Sequence, residues 1–304
     1  MEILDINGAK IYKYSVGPSS YLLNPFEGAT LINWNVALAD GDVRDVIYWP
    51  ENQPLSGADP MPVLGGMFLM FPFSGGSFVD GKEGSWIAPD GKRRPMRKHG
   101  YANSGKFEKV FASDTDIKLR YVPEGEALEA YPFDYNFEVF YKFGELAFSC
   151  ELVLTNNGSE RIPWGAGMHP FFAMPWAKGT TRKDYRLVHD AKKAHYILKD
   201  GSIVPADGSK NCFADTEIQN RLHTHFKSGV VKVGTKNGEE EITIRINGGA
   251  RPDPAITLVT WSASETEPYF CVEPWMSLPN SAAKPAHYVE PNSTKSFSVD
   301  FSLM

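Results

Sequence analysis

Two runs near the middle of the chain alternate hydrophobic and polar positions: YNFEVFYKF at 135–143 and LAFSCELVL at 146–154, separated by Gly144-Glu145. Period two sends successive side chains to opposite faces of a strand, so the pair predicts a β-hairpin. Gly at the first position of a two-residue loop predicts a type II′ turn. A second hairpin is predicted where VVKVG (230–234) meets EITIRI (241–246) across Asn237-Gly238. AITLVTWSAS, YFCVEP and KSFSVDFSL alternate in the same way. Helical apolar stripes are scarce, and 27 glycines and 22 prolines interrupt the chain every few residues. Many short strands with turn residues between them predict an all-β fold, a sandwich or a barrel with few helices. No repeat, low-complexity tract or linker-like shift divides the 304 residues, so one domain over 1–304 is expected.

Composition narrows the class. Hydrophobic residues are 42% and charged residues 22%, as in ordinary globular chains. A net charge of −6 argues against nucleic acid as a partner. MEILDINGAK has neither a basic nor an apolar leader region, and GGMFLMFPF is too short to span a bilayer, so no membrane partner is expected. Cys150, Cys212 and Cys271 are odd in number and form no C-x-x-C pair. That predicts neither a disulfide framework nor a zinc site, and a reducing, cytoplasmic setting.

Three segments carry candidate chemistry. WGAGMHPFF (164–172) sets His169 among small and apolar residues and follows it with Pro170. The residue before a proline is extended, and proline cannot donate to a ladder, so His169 is expected where a strand leaves its sheet. The small residues before it leave room for a close approach to the backbone. Alone, His169 reads as a core histidine bonded to a carbonyl before it reads as chemistry. YFCVEPW (269–275) repeats the design with a carboxylate. Tyr269, Cys271 and Glu273 share one strand face, and Glu273 precedes Pro274. Glu273 either points to solvent from an edge or is desolvated, with a raised pKa suited to proton chemistry. KHGYANSGKFE (98–108) places His99 in a turn and says little alone.

Together these segments resemble the aldose 1-epimerase (galactose mutarotase-like) family. The resemblance runs through GATLINW, DVIYW, GGMFLMFPFSG, HGYAN, TNNGSERIPWGAGMHPFF and CVEPWMSLPNS, in that order. It implies a large antiparallel β-sandwich that interconverts the α and β anomers of an aldose. In that reaction a base takes the anomeric hydroxyl proton while an acid protonates the ring oxygen. The C1–C2 bond of the open aldehyde rotates, and the roles reverse for closure. The resemblance implies His169 as the acid, Glu273 as the base and His99 as a donor to sugar oxygens, with no metal and no cofactor. The implied partner is a small-molecule sugar, with the oligomeric state open. Sugars present C–H faces, so Trp275, Phe172 and Phe73 beside the motifs are candidate platforms. Asp215 is the candidate acidic sugar-binding residue.

The chain departs from the family pattern at Gly76 and Asn103, where arginines are usual, at Phe107, where tryptophan is usual, and at His223, where aspartate is frequent. Those changes bear on which aldose is taken. A non-catalytic sugar-binding protein on the same fold is one alternative. A hexose-6-phosphate mutarotase is the other, with Arg94 or Arg97 of GKRRPMRKH gripping the phosphate through a two-donor fork. His223 and His225 are expected on one strand face, where a solvated pair is favoured over a metal site for want of a third ligand.

Overall fold

The computed structural model describes residues 1–6, 8–51, 53 and 64–304. Alternation in sequence becomes alternation in burial. Tyr135–Phe143 pairs antiparallel with Ala147–Asn156, and burial in the second strand alternates at every position. Their turn differs from expectation. Residues 144–146 join the strands, the Gly144 N–H donates to the Ala147 carbonyl at 2.7 Å, and Gly144 lacks the positive φ of a type II′ turn. The buried Tyr21 hydroxyl lies 2.8 Å from the Gly144 carbonyl and 2.9 Å from that of Ala147, so a contact from the facing sheet shapes the loop. The second hairpin forms between Val230–Thr235 and Glu241–Ile246, with Gly238 at φ +76°.

Strand makes up about 51% of the chain and helix about 6%, an all-β architecture. Two large antiparallel sheets carry it, one of eight strands and one of twelve. In the eight-stranded sheet, Thr294–Leu303 runs between Ala147–Asn156 and Glu241–Ile246. The inner faces meet through aromatic rings. Phe71 stacks on Phe137 at 3.9 Å, Trp34 meets Phe148 edge-on at 5.5 Å, and Phe172 reaches Phe301 at 6.2 Å. Rings of this size bury much apolar area and dominate such a core. No helix among the described residues is long and apolar enough to cross a membrane.

The centre of the twelve-stranded sheet positions the candidate chemistry. Gly167–Ala173 lies beside Tyr269–Trp275, which pairs on its other side with Thr257–Trp261, and Met67–Met70 pairs with Gly167–Ala173 off the main path. Both Gly167–Ala173 and Tyr269–Trp275 are buried at every position. The cause is burial on two faces. Met168, Phe172, Phe270 and Val272 enter the sandwich core, while Phe171, Tyr269, Cys271 and Trp275 join a second apolar cluster on the outer face with Phe68 and Val259.

Candidate functional site

Period two decides what reaches the outer face. His169 and Phe171 share it on one strand, and Cys271, Glu273 and Trp275 share it on the next. Both strands are central, so the pair stands over the middle of a sheet rather than at the strand exit expected for His169. Small residues before His169 do admit a close approach, but from the protein itself. A Cβ on Gly165 would lie 2.7 Å from Ser281 Oγ, and one on Gly167 would lie 2.7 Å from Ser74 Oγ.

The outer face opens into a cleft of about 440 Å³, within the range of small-molecule sites. Its floor carries His169, Glu273 and Phe171, and its walls carry His99, Trp275 and Trp261. His169 Nε2 lies 3.3 Å from Glu273 Oε2. The Trp275 indole N–H donates to the same oxygen at 3.0 Å. His169 is 6% exposed and Glu273 1%, so each charge is costly. Burial pulls the His169 imidazole well below its ordinary range, and His99 and Lys98 push the same way. Burial pushes the Glu273 carboxyl well above its ordinary range, while the Trp275 hydrogen bond and the Lys98 ammonium pull it back. Desolvation outweighs the attraction of this close pair. Burial therefore works against the charged form of both groups.

His99 is held by the backbone. It takes a left-handed φ of +66°, its N–H donates to the Gly75 carbonyl at 2.8 Å, and the Gly75 N–H donates to its Nδ1 at 3.1 Å. An accepting Nδ1 puts the ring proton on Nε2. Burial, with a smaller push from Lys98, draws its pKa down to about 3, so His99 is a neutral donor at neutral pH. Gly100 follows because a Cβ there would lie 2.0 Å from the Phe71 carbonyl oxygen.

Four sequence-derived residues therefore converge: His99, His169, Glu273 and Trp275. Three do not. Phe172 faces the sandwich core, because it lies one position from Phe171 and so on the opposite face. Phe73 packs edge-on against Trp86 at 5.2 Å inside the same core. Asp215 stands before a short 3₁₀ turn, Thr216–Ile218, and does not line the cleft. Arg94 and Arg97 also lie outside it. Arg94 pairs with Asp90 at 2.7 Å, and Arg97 pairs with Glu126 at 2.7 Å while covering the Tyr101 ring. His225 lies beyond Arg221–Thr224 at φ +60°, so it does not share a strand face with buried His223.

Sequence reasoning missed Phe171, Phe68, Trp261, Glu83 and Lys199, all at the cleft, and reached Lys98, also there, only as the end of the basic run GKRRPMRKH. Counting two positions from His169 finds Phe171. The Phe68 ring lies 4.4 Å from that of His169, because Phe68 is its register partner on Met67–Met70. Of the usual arginine positions, Gly76 lines the cleft and Asn103 does not. Cys271 lies beneath the pair, and His169, Cys271 and Glu273 each offer a ligand atom within 4.8 Å of the others. They form the one such three-residue group among the described residues. The arrangement can donate and accept protons at two adjacent points while aromatic rings hold a sugar face.

Comparison with known proteins gives the following. The family described as aldose 1-epimerase matches residues 25–285. Protein LacX, chromosomal, of Lactococcus lactis subsp. lactis is 23% identical over 240 residues, 74% of this chain and 78% of that protein. The Slr1438 protein of Synechocystis superposes with a TM-score of 0.75 at 21% identity, covering 96% of this chain and 95% of the other. A galactose mutarotase related enzyme from Lactobacillus acidophilus gives 0.76 at 17% identity, with 97% of each chain covered. A galactose mutarotase-like protein from Clostridium acetobutylicum gives 0.76 at 16% identity, over 100% and 98%. At these identities the structural likenesses speak to the fold alone.

Proposed function

Since the chain belongs to the aldose 1-epimerase family, we propose that it interconverts the α and β anomers of an aldose by acid–base ring opening at His169 and Glu273. The observation that carries this is the 3.3 Å contact between His169 Nε2 and Glu273 Oε2 on the floor of an open cleft. The ring oxygen and the anomeric hydroxyl are bonded to one carbon, so groups side by side can address both.

Proton balance fits a buried pair. Opening takes one proton from O1 and delivers one to the ring oxygen, and closure reverses both transfers. Each group therefore serves as acid and as base within a turnover. The roles expected for opening, His169 as acid and Glu273 as base, require the carboxylate form. Burial opposes that form, while Trp275 and Lys98 support it. His99 Nε2–H donates to a sugar oxygen, and Trp275 and Trp261 offer ring faces to its C–H surface.

The substrate is a small sugar. A phosphorylated aldose is a second reading, favoured because Lys98 and Lys199 line the cleft and form no ion pair among the described residues. It replaces the grip first sought from Arg94 and Arg97. The test is anomer exchange followed by NMR or polarimetry over free and phosphorylated aldoses. His169→Asn and Glu273→Gln are each expected to lose about 10²–10⁴-fold in rate while keeping the wild-type circular dichroism. A wild-type exchange rate in either variant refutes its role.

A further inference from the structure

The cleft holds a second carboxylate that no step above employs. Glu83 lies on a two-stranded hairpin, Phe78–Val79 with Lys82–Glu83, and faces Phe78 in register. The hairpin is tied down at its base. The Phe78 N–H donates to Asn280 Oδ1 at 2.9 Å, the Asn280 N–H donates to the Gly76 carbonyl at 2.8 Å, and the Gly84 N–H donates to the Ser77 carbonyl at 3.0 Å. Its outer side is braced as well, since a Cβ on Gly201 would come within 2.5 Å of the Phe78 ring.

From this hairpin the Glu83 side chain lies over Gly76. A Cβ added at Gly76 would stand 2.2 Å from Glu83 Oε1 and 3.0 Å from its Cδ. Only glycine at position 76 leaves that carboxylate its place, and the same Cβ would press on the Phe78 ring at 2.8 Å. Glu83 forms no hydrogen bond or ion pair among the described residues, yet it lines the cleft with His99 and Lys98. Gly76 follows Gly75, whose N–H fixes the His99 tautomer. An acceptor-only group thus stands on the same wall as a donor-only nitrogen. A sugar hydroxyl both donates and accepts, so a polyhydroxylated ring in this cleft can serve both groups, and a carboxylate can take two adjacent hydroxyls at once.

We infer that Glu83 is a specificity-determining residue. It accepts hydrogen bonds from unsubstituted neighbouring hydroxyls of the aldose and selects sugars that carry them over deoxy or substituted analogues. The inference rests on the proposed sugar-epimerase reading of the cleft. Gly76 is its structural partner, because the absent Cβ lets the carboxylate in.

The experiment uses the full chain, Glu83→Gln, Gly76→Ala and the double variant. Anomer exchange supplies KM and kcat, and calorimetric titration supplies Kd for the best sugar of the panel and its mono-deoxy analogues. Both single variants are expected to raise KM and Kd about 10- to 100-fold, the range for hydrogen bonds to a charged group, and to change kcat less. Deoxy analogues at the contacted hydroxyl should bind wild type and Glu83→Gln alike. The double variant should be no weaker than the worse single one, because Gly76→Ala acts by displacing Glu83. Unchanged KM and Kd in Glu83→Gln, or fully additive losses in the double variant, overturn the inference. Tighter binding of a phosphorylated aldose by Glu83→Gln than by wild type also overturns it, by showing that the carboxylate repels rather than accepts. A wild type that binds sugars without exchanging anomers refutes the epimerase reading alone, and Kd still decides the role of Glu83. A wild type that binds no sugar overturns both.

Discussion

At the scale of single residues, the site is governed by burial of charge. Burial pushes the Glu273 carboxyl well above its ordinary range, whereas in the unfolded chain it ionises above its ordinary pKa of about 4.3. A raised folded pKa gives stability that is present below the unfolded value and lost as pH rises through the window up to the folded one. Glu273→Gln removes that loss. It is expected to melt at a higher temperature than wild type at pH 7, and the gap should narrow toward pH 4 by about 1.4 kcal/mol per unit. Equal melting temperatures at pH 7 would show that the carboxylate is not disfavoured there. Trp275 and Lys98 act on the same group in the opposite sense. Trp275→Phe should therefore raise the apparent pKa of the acidic limb of kcat/KM, and Lys98→Met should do so to a smaller degree. A limb that stays put in both variants would mean that Glu273 is not the group titrating in that limb.

Elements show what was legible from the chain and what was not. Alternating runs announced the hairpins and the all-β class, because a strand with one buried face writes its period into the sequence. Counting by two gives Tyr269, Cys271 and Glu273 a common face, and in the structure Tyr269 and Cys271 pack in the outer-face cluster while Glu273 reaches the cleft. The same count from His169 selects Phe171, but two adjacent phenylalanines in a strand apolar on both faces conceal which one turns outward. Glu83 and Lys199 carry no local signal, since their hairpin and turn reach the cleft only through tertiary packing. The two phenylalanines supply a test of the division. Phe172→Ala should cost about 3–5 kcal/mol in urea unfolding and leave the exchange rate of the folded fraction near wild type. Phe171→Ala should impair exchange even where the protein is folded, because its ring lies 4.8 Å from that of His169. Similar exchange rates in the two variants would contradict the assignment of faces.

Over the whole molecule, three buried imidazoles set the response to acid. His99 and His223 are drawn down to about 3, in each case chiefly by burial, and His169 is lowered well below its ordinary value. For a lowered histidine the unfolded chain binds the extra proton. The stability contribution is then complete above an unfolded pKa of about 6.5 and is lost as pH falls toward the folded value. Between about pH 6.5 and 4.5 these three histidines lose stability on acidification, His189 and His195, also lowered by burial, add to the loss, and Glu273 regains some. The urea midpoint should fall steeply over that interval, and His223→Gln, outside the cleft, should make the fall shallower without altering anomer exchange at pH 7. A midpoint flat from pH 7 to 4.5 would refute the neutral, buried state of these rings. Finally, the two central strands are divided position by position between sandwich and cleft. A lineage descending from this protein could rewrite the outward positions and keep its architecture, or drift inward and keep its appetite. Inheritance of form and inheritance of diet run along the same fourteen residues, in alternate letters.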